Sequence, residues 1–218
     1  MTLNNEIIQN LRQEYRSATL SEKEVAADPI AQFSKWFSEA MSSGLTEPNA
    51  MTLATATADG KPSARIMLLK GFEDRGFIFY TNYLSRKGQD ITKNPSAALV
   101  FFWQELERQV RVEGIIEKLD EKESEKYFHS RPRMSQLGAI ASPQSREIEG
   151  KDFLLKNLHQ LEEKYKEGVE IPKPPHWGGY LVKPYYVEFW QGGLGRLHDR
   201  IAYKKTENNS WKTIRLAP

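Results

Sequence analysis

A chain of 218 residues that is 39% hydrophobic can bury one sizeable core, and its interspersed charges (28% of residues) argue against wholesale disorder. A formal net charge of +2 with no long Lys/Arg run gives no support to a general nucleic-acid binder, so any anion site must come from local clusters. The absence of cysteine removes disulfides, thiolate nucleophiles, iron–sulfur clusters and cysteine-containing zinc sites.

The first segment has helical spacing, with Leu3, Ile7, Leu11 and Tyr15 recurring between acids and amides. A polar stretch around 17–27 reads as a mobile arm. Residues 1–27 are therefore expected as helix plus arm, and 28–218 as a single domain. Asp28-Pro29 is a helix start, with Asp as N-cap and Pro in the first turn. Ile30, Phe33, Trp36, Phe37, Ala40 and Met41 are expected on one face, and Gly44 as the left-handed stop.

From Ala50 the period changes to two. Asp59-Gly60 predicts a hairpin between 51–57 and a return strand 63–70. A turn at 73–76 leads into a strand over 77–80. Ser85 is placed to cap a short helix that stops before Asn94-Pro95. Strands over 97–103 and 109–119 follow, joined near Glu105. Such hairpins should curl into a small antiparallel barrel, since closure removes exposed edges. Asp120 and Glu123 have the spacing of a capping box, and Tyr127 and Arg131 fall near the end of the helix they start. A short helix is expected over 135–141 and a longer one over 151–167, with Phe153, Leu154, Leu158, Leu161 and Tyr165 on one side and Gly168 as its stop. Residues 171–175 form a stiff linker. Strands are expected over 179–190, 196–205 and 211–216, joining the early strands in one sheet. The fold class is mainly β with peripheral helices (α+β).

The opening Met1–Glu6 lacks a basic region followed by an apolar run, and no apolar stretch approaches the roughly 18 residues needed to span a bilayer. The expectation is a cytoplasmic protein without membrane or nucleic-acid partners. There is no GxxxxGK[ST], no GxSxG, no HExxH, and no paired spacing among the four histidines, so no metal site is expected. Gly193-Leu194-Gly195 starts like a dinucleotide fingerprint but has His198 where a third glycine belongs.

Four clusters remain. Arg65 and Lys70 bracket an apolar strand; they are either solvated strand-end charges or an anion site. Tyr80, Thr81, Ser85, Arg86 and Lys87 put hydroxyls and cations beside a helix N-terminus, which favours phosphate, though an ordinary capped helix reads the same way. Tyr127, Arg131 and Ser135 offer a guanidinium fork and hydroxyls, with Tyr127 and Arg131 neighbours on one helical face. Arg196, His198 and Arg200, read as a strand, share one side next to Trp190, which suits an anionic or π-rich ligand.

In this order the clusters resemble the pyridoxamine-5′-phosphate oxidase family. The resemblance covers nearly the whole chain and rests on RIMLLK at 65–70, FYTN at 79–82 with SRK at 85–87, and ERQVRVEG at 107–114. It continues with YFHSRPR at 127–133, QS at 144–145, EFWQGG at 188–193, RLHDR at 196–200 and the terminal RLAP. It implies an FMN-binding split barrel and a homodimer with FMN between subunits. FMN contacts are implied for Arg65, Ile66, Met67, Leu68, Leu69, Lys70, Tyr80, Thr81, Arg86, Lys87, Gln109, Gln144, Ser145, Trp190 and Arg200. Substrate contacts are implied for Lys70, Tyr127, Arg131, Ser135, Arg196, Leu197 and His198, and also for Arg12, Gln13, Glu14 and Tyr15. Arg196 and His198 are the implied catalytic pair, with His198 able to assist proton removal. The implied reaction is hydride transfer from C4′ of pyridoxine or pyridoxamine 5′-phosphate to the flavin. Oxygen then returns the flavin to its oxidised form. Three rivals stand beside this reading: a flavin reductase of another substrate on this fold, which predicts the same cofactor; a non-catalytic carrier of flavin or B6 phosphate; and a nucleic-acid binder using aromatic and basic strands, which the weak net charge disfavours.

Overall fold

The computed structural model describes Tyr15 and residues 18–218; the helix expected over the first fifteen residues, with Arg12, Gln13 and Glu14, lies outside the described residues apart from Tyr15. Five helices and nine strands follow: α1 (Pro29–Ser42), β1 (Ala50–Ala56), β2 (Pro62–Leu68), β3 (Gly71–Glu73), β4 (Gly76–Asn82), α2 (Arg86–Lys93), β5 (Ser96–Trp103), β6 (Arg108–Lys118), α3 (Glu121–Ser130), α4 (Arg133–Ala141), α5 (Lys151–Lys164), β7 (Trp177–Gln191), β8 (Asp199–Lys205) and β9 (Trp211–Arg215). All nine strands belong to one sheet.

Two compact units divide the chain. One comprises Asn49–Leu99 and Glu113–Tyr185. Its strands pair in the order β2-β1-β5-β6-β7-β4-β3, with β2 at an edge. The β1–β2 hairpin turns at Asp59-Gly60, where Gly60 takes φ +83. The short β3 was not expected from the sequence; it pairs with β4 across Glu73↔Gly76. In α2 the Ser85 hydroxyl accepts from the Gly88 N–H, as its cap position requires. Asp120 caps α3 by accepting from Lys122, one position short of the capping-box contact. A separate core cluster of Phe128, Leu137, Ile171 and Trp177 lies beneath α3 and α4. The linker around Ile171 is thus anchored, with Ile171 buried.

The helix α5 ends at Lys164, earlier than expected. The Arg133 guanidinium donates to the carbonyls of Tyr165, Lys166 and Val169 and so closes the turn. None of its residues is fully buried.

The other unit takes the described residues up to Pro48, Val100–Val112 and Tyr186–Pro218. Here the far halves of β5, β6 and β7 are joined by β8 and β9, with β8 between β7 and β9. The Asp28 carboxylate accepts from Ile30 and Ala31, which starts α1 at Pro29 as the sequence indicated. The core is aromatic: Phe33 lies 5.0 Å from Phe101, and Trp36 meets Phe189 edge-on at 5.2 Å. Met41, expected on the buried face of α1, is exposed. It sits in the last turn, where the helix face has run past the core and the chain leaves at Gly44 (φ +83).

Candidate functional site

The larger grouping lies within the unit 49–99 and 113–185. The strand β4 ends in Tyr80-Thr81-Asn82, and its register with β7 puts Asn82 opposite Trp177, the first residue of that strand. The pairing lies tight against its neighbours. A Cβ at Gly179 would come 2.8 Å from the Tyr80 ring and 2.5 Å from Leu119, and a Cβ at Gly178 would come 2.0 Å from the Tyr83 hydroxyl. The two glycines let the aromatic rings approach the strand.

Tyr80 stacks on Tyr127 with ring centroids 3.8 Å apart, and on Trp177 at 5.5 Å. Burial, and then the neighbouring Tyr127, push the Tyr80 hydroxyl up to about 12, so it remains a neutral donor. Beside the stack opens a cavity of about 400 Å³ lined by Met67, Tyr80, Thr81, Asn82, Arg131, Ser135, Gly138, Ala139, Ser142, Gln144 and Trp177. Six of these (Met67, Tyr80, Thr81, Arg131, Ser135 and Gln144) are residues the sequence singled out.

Arg131 is not the helical neighbour of Tyr127 that its spacing suggested. The helix stops at Ser130, and Arg131 turns to an extended conformation (φ −75, ψ 152) because Pro132 follows it. Its carbonyl accepts from Gln136, which fixes the turn. Its guanidinium lies over the Trp177 ring, 4.6 Å from the centroid. Nη1 is buried without a hydrogen-bond partner. No carboxylate among the described residues pairs with it, and burial holds its pKa below the ordinary guanidinium range. A buried guanidinium nitrogen left without a partner is costly unless a ligand supplies one.

A second cation contacts two residues of the cavity lining, Thr81 and Gln144. Lys87, in the first turn of α2, is only 8% exposed. Its Nζ reaches the Thr81 hydroxyl (3.3 Å), the Gln144 side-chain oxygen (3.3 Å) and the Ser85 hydroxyl (3.5 Å), all neutral. Burial, and then the charge of Arg65, depress its pKa. Arg65 sits inside β2 rather than at its end. Its fork is held by the Leu53 carbonyl and the Thr55 and Ser63 hydroxyls. Burial lowers its pKa, Asp90 opposes this, and Arg86 adds to it. Three cations, Arg65, Arg86 and Lys87, thus share one neighbourhood, and Asp90 is the carboxylate that acts on Arg65 there. The same edge strand carries Ile66, Met67 and Leu68, with Ile66 67% exposed; Leu69 and Lys70 follow it, Leu69 buried and Lys70 exposed. Ser145, after Gln144, takes φ +69, a left-handed conformation that costs a non-glycine residue about 1 kcal/mol or more.

The remaining residues named from sequence lie in the other unit. Gln109 is half-buried on β6. Trp190 on β7 faces Arg200 on β8 in register. The expected strand over 196–205 begins only at Asp199. Leu194–Arg196 form a single 3-10 turn in which Gly195 and Arg196 both take positive φ (+62 and +66), and Leu197 follows at 77% exposure. Arg196, His198 and Arg200 are therefore not three rungs of one strand face. The reason lies in Gly193 and Gly195: a Cβ at Gly193 would meet the Leu197 carbonyl at 2.3 Å, so the loop folds back on itself. That fold brings the His198 ring 4.6 Å from Trp190 and lets the Gly193 N–H donate to His198 Nδ1 at 3.1 Å. Tyr15 meets both rings edge-on, at 5.6 Å from Trp190 and 5.7 Å from His198.

The sequence reading missed Trp177. Its only local signal was a tryptophan ahead of two glycines, and its role depends on the β4–β7 pairing. Among the described residues no group of three or more His, Asp or Glu is arranged to hold a metal, and no helix is long and apolar enough to cross a membrane.

The chain is similar to known proteins over nearly its whole length. Residues 37–165 match the family described as pyridoxamine 5′-phosphate oxidase, and residues 177–218 match the pyridoxine 5′-phosphate oxidase C-terminal dimerisation region. The chain is 58% identical over 210 residues to a pyridoxine/pyridoxamine 5′-phosphate oxidase of Salinibacter ruber, covering 96% of this chain and 98% of that one. It is 57% identical over 211 residues to the protein of that name from Acaryochloris marina, covering 97% and 95%. Among solved structures, PhzG from Burkholderia lata 383, in complex with tetrahydrophenazine-1-carboxylic acid, superposes with a TM-score of 0.86 at 33% identity, over 92% of this chain and 98% of that one. A pyridoxamine 5′-phosphate oxidase-related, FMN binding protein from Nostoc punctiforme gives a TM-score of 0.69 at 16% identity over 89% and 100%, and bears on the fold alone.

Proposed function

Because the chain belongs to the pyridoxine/pyridoxamine 5′-phosphate oxidase family and has its split-barrel fold, we propose that it uses FMN to oxidise C4′ of pyridoxine and pyridoxamine 5′-phosphates, yielding pyridoxal 5′-phosphate. The electrons pass to O2, releasing hydrogen peroxide, and the amine substrate also releases ammonia. The observation that carries this reading is the half-buried Arg131 fork over Trp177, its Nη1 buried and unpartnered in a cavity lined by hydroxyls. A phosphate monoester supplies the charge and acceptor oxygens that this fork lacks.

The residues fit both groups. Lys87 and Arg65, with Arg86, would hold the FMN phosphate, assisted by Thr81, Gln144 and Ser145: their charges outnumber nearby carboxylates, and Arg65 is already oriented by Thr55 and Leu53. Ile66–Lys70 on and beyond the edge strand, with Tyr80, Gln109, Trp190 and Arg200, would contact the rest of the cofactor. When bound, FMN supplies the two-electron acceptor that no side chain of this protein can provide. Arg131, Ser135, Tyr127 and Lys70 would hold the substrate phosphate. It is remote from the reacting carbon, so its binding energy serves orientation. The Arg196-Leu197-His198 turn would face the pyridine ring. The matched dimerisation region supports a homodimer, and we place FMN between its two copies.

His198 acts here as a donor rather than a base. Its Nδ1 accepts from the Gly193 N–H, which assigns the proton of the neutral ring to Nε2. Burial, and then the Arg196 charge, lower its pKa, so the ring protonates at more acidic pH than a free imidazole. Activity that needs neutral His198 therefore persists down through about pH 6.5 and falls only below it. Arg196→Gln removes the repelling charge, raises the His198 pKa and moves that acid limb of flavin reduction upward. His198→Asn keeps a side-chain donor and is expected to slow reduction by no more than about tenfold. A loss in the range of about 100- to 10,000-fold would instead assign His198 as an essential base.

The test of the whole reading is an absorption spectrum before and after anaerobic addition of pyridoxine 5′-phosphate. Bleaching of a flavin band that recovers in air, with aldehyde formed, is the expected result. A flavin band that neither B6 phosphate bleaches would leave cofactor and fold but refute the substrate.

A further inference from the structure

The strand β7 carries a carboxylate that the reaction does not itself require. Glu188 is 1% exposed, two residues before Trp190 and hence on the same face of the strand. A buried carboxylate must be compensated, and this one is. Its Oε1 accepts from Arg200 Nε at 2.8 Å; its Oε2 accepts from the Tyr186 hydroxyl at 2.9 Å and Arg111 Nη1 at 3.1 Å. Burial alone would raise its pKa, but the hydrogen bonds from Arg200 and Tyr186 and the two guanidinium charges outweigh it, and the carboxyl stays ionised.

The consequence falls on Arg200. Register places it directly opposite Trp190 and diagonal to Glu188. Its Nε is taken by Glu188, and its Nη1 donates to the Ala217 carbonyl at 2.8 Å. The Leu216 N–H in turn donates to the Arg200 carbonyl at 2.9 Å, so the C-terminal residues grip the same position. Two of the three guanidinium nitrogens are thus fixed, and Nη2 has no partner among the described residues. A side chain of Arg's length ordinarily loses rotamer freedom when a ligand immobilises it. Here the protein has already fixed it.

We propose that Glu188 is a positioning residue that pre-orients Arg200, through its Nε, to present Nη2 to the flavin cofactor. The inference rests on the reading of Arg200 as an FMN contact. It predicts that Glu188 affects cofactor binding only through Arg200.

The test is a double-mutant cycle read by FMN affinity. FMN-stripped protein is titrated with FMN and followed by flavin fluorescence, with a thermal melt of each variant alongside. Glu188→Gln is expected to weaken FMN binding by about tenfold, and Arg200→Ala by that much or more. The double variant should bind no more weakly than Arg200→Ala, within about twofold. Multiplied losses in the double variant would show that Glu188 acts independently of Arg200 and would overturn the proposal, as would unchanged affinity in Glu188→Gln. Unchanged affinity in Arg200→Ala would instead refute the reading of Arg200 itself, and the proposal with it. Glu188→Asp covers the case where Gln does not fold. It keeps the buried charge but is one methylene too short to reach Arg200, and it should show the same loss with the same dependence on Arg200.

Discussion

Arg131→Ala is expected to lower kcat/KM for pyridoxine 5′-phosphate by about 100- to 1000-fold, while leaving turnover of unphosphorylated pyridoxine nearly unchanged. The side chain is half-buried over Trp177, with Nη1 buried and unpartnered and no carboxylate beside it among the described residues, so the phosphate is its natural counter-charge. Charge-assisted, two-pronged contacts of this kind are worth about 3–4 kcal/mol, which converts to that range of fold-change. The unphosphorylated substrate separates this role from a fault in folding or flavin binding, which would slow both substrates alike. Steady-state kinetics with the two substrates measures it. Equal losses on both would refute Arg131 as the phosphate ligand.

Lys87→Met is expected to raise the dissociation constant for FMN by about 100-fold or more, with an apoprotein that melts no lower than the parent. The two effects have one cause. Lys87 is buried, its Nζ meets only neutral oxygens, and burial together with Arg65 depresses its pKa. A cation whose folded-state pKa is lowered is destabilised in its charged form by folding, so at neutral pH it costs the apoprotein stability. Methionine fills similar space and removes that cost, along with the charge that would meet the FMN phosphate. Calorimetry of the apoprotein and a flavin titration check the two halves. A marked fall in melting temperature with FMN affinity intact would show Lys87 to be structural.

Much of the fold was legible because its signals are local. Asp28-Pro29, Asp59-Gly60 and Ser85 act through hydrogen bonds and φ preferences within a few residues, and each set its element as expected. The candidate site was partly legible for another reason. Met67, Tyr80, Thr81, Arg131, Ser135 and Gln144 belong to motifs whose resemblance marks them, and one cavity gathers all six. Where periodicity alone was used, it misled. Arg196, His198 and Arg200 alternate like a strand, but Gly193 and Gly195 allow a left-handed turn that alternation cannot show. Tyr127 and Arg131 are spaced like helical neighbours, but Pro132 ends the helix between them.

By itself, then, the sequence determined the helix caps, the hairpin turns and the stock of cations and aromatic residues from which an anion site is built. Only the tertiary structure decided which of them meet. Trp177 comes under Arg131 because β7 pairs with β4, and Glu188 grips Arg200 because β8 folds back along β7. Caps and turns are settled by interactions that close within a few residues. Burial of Lys87, Glu188 and the Arg131 Nη1 away from water depends on segments far apart in the chain, and no short stretch of sequence contains both partners.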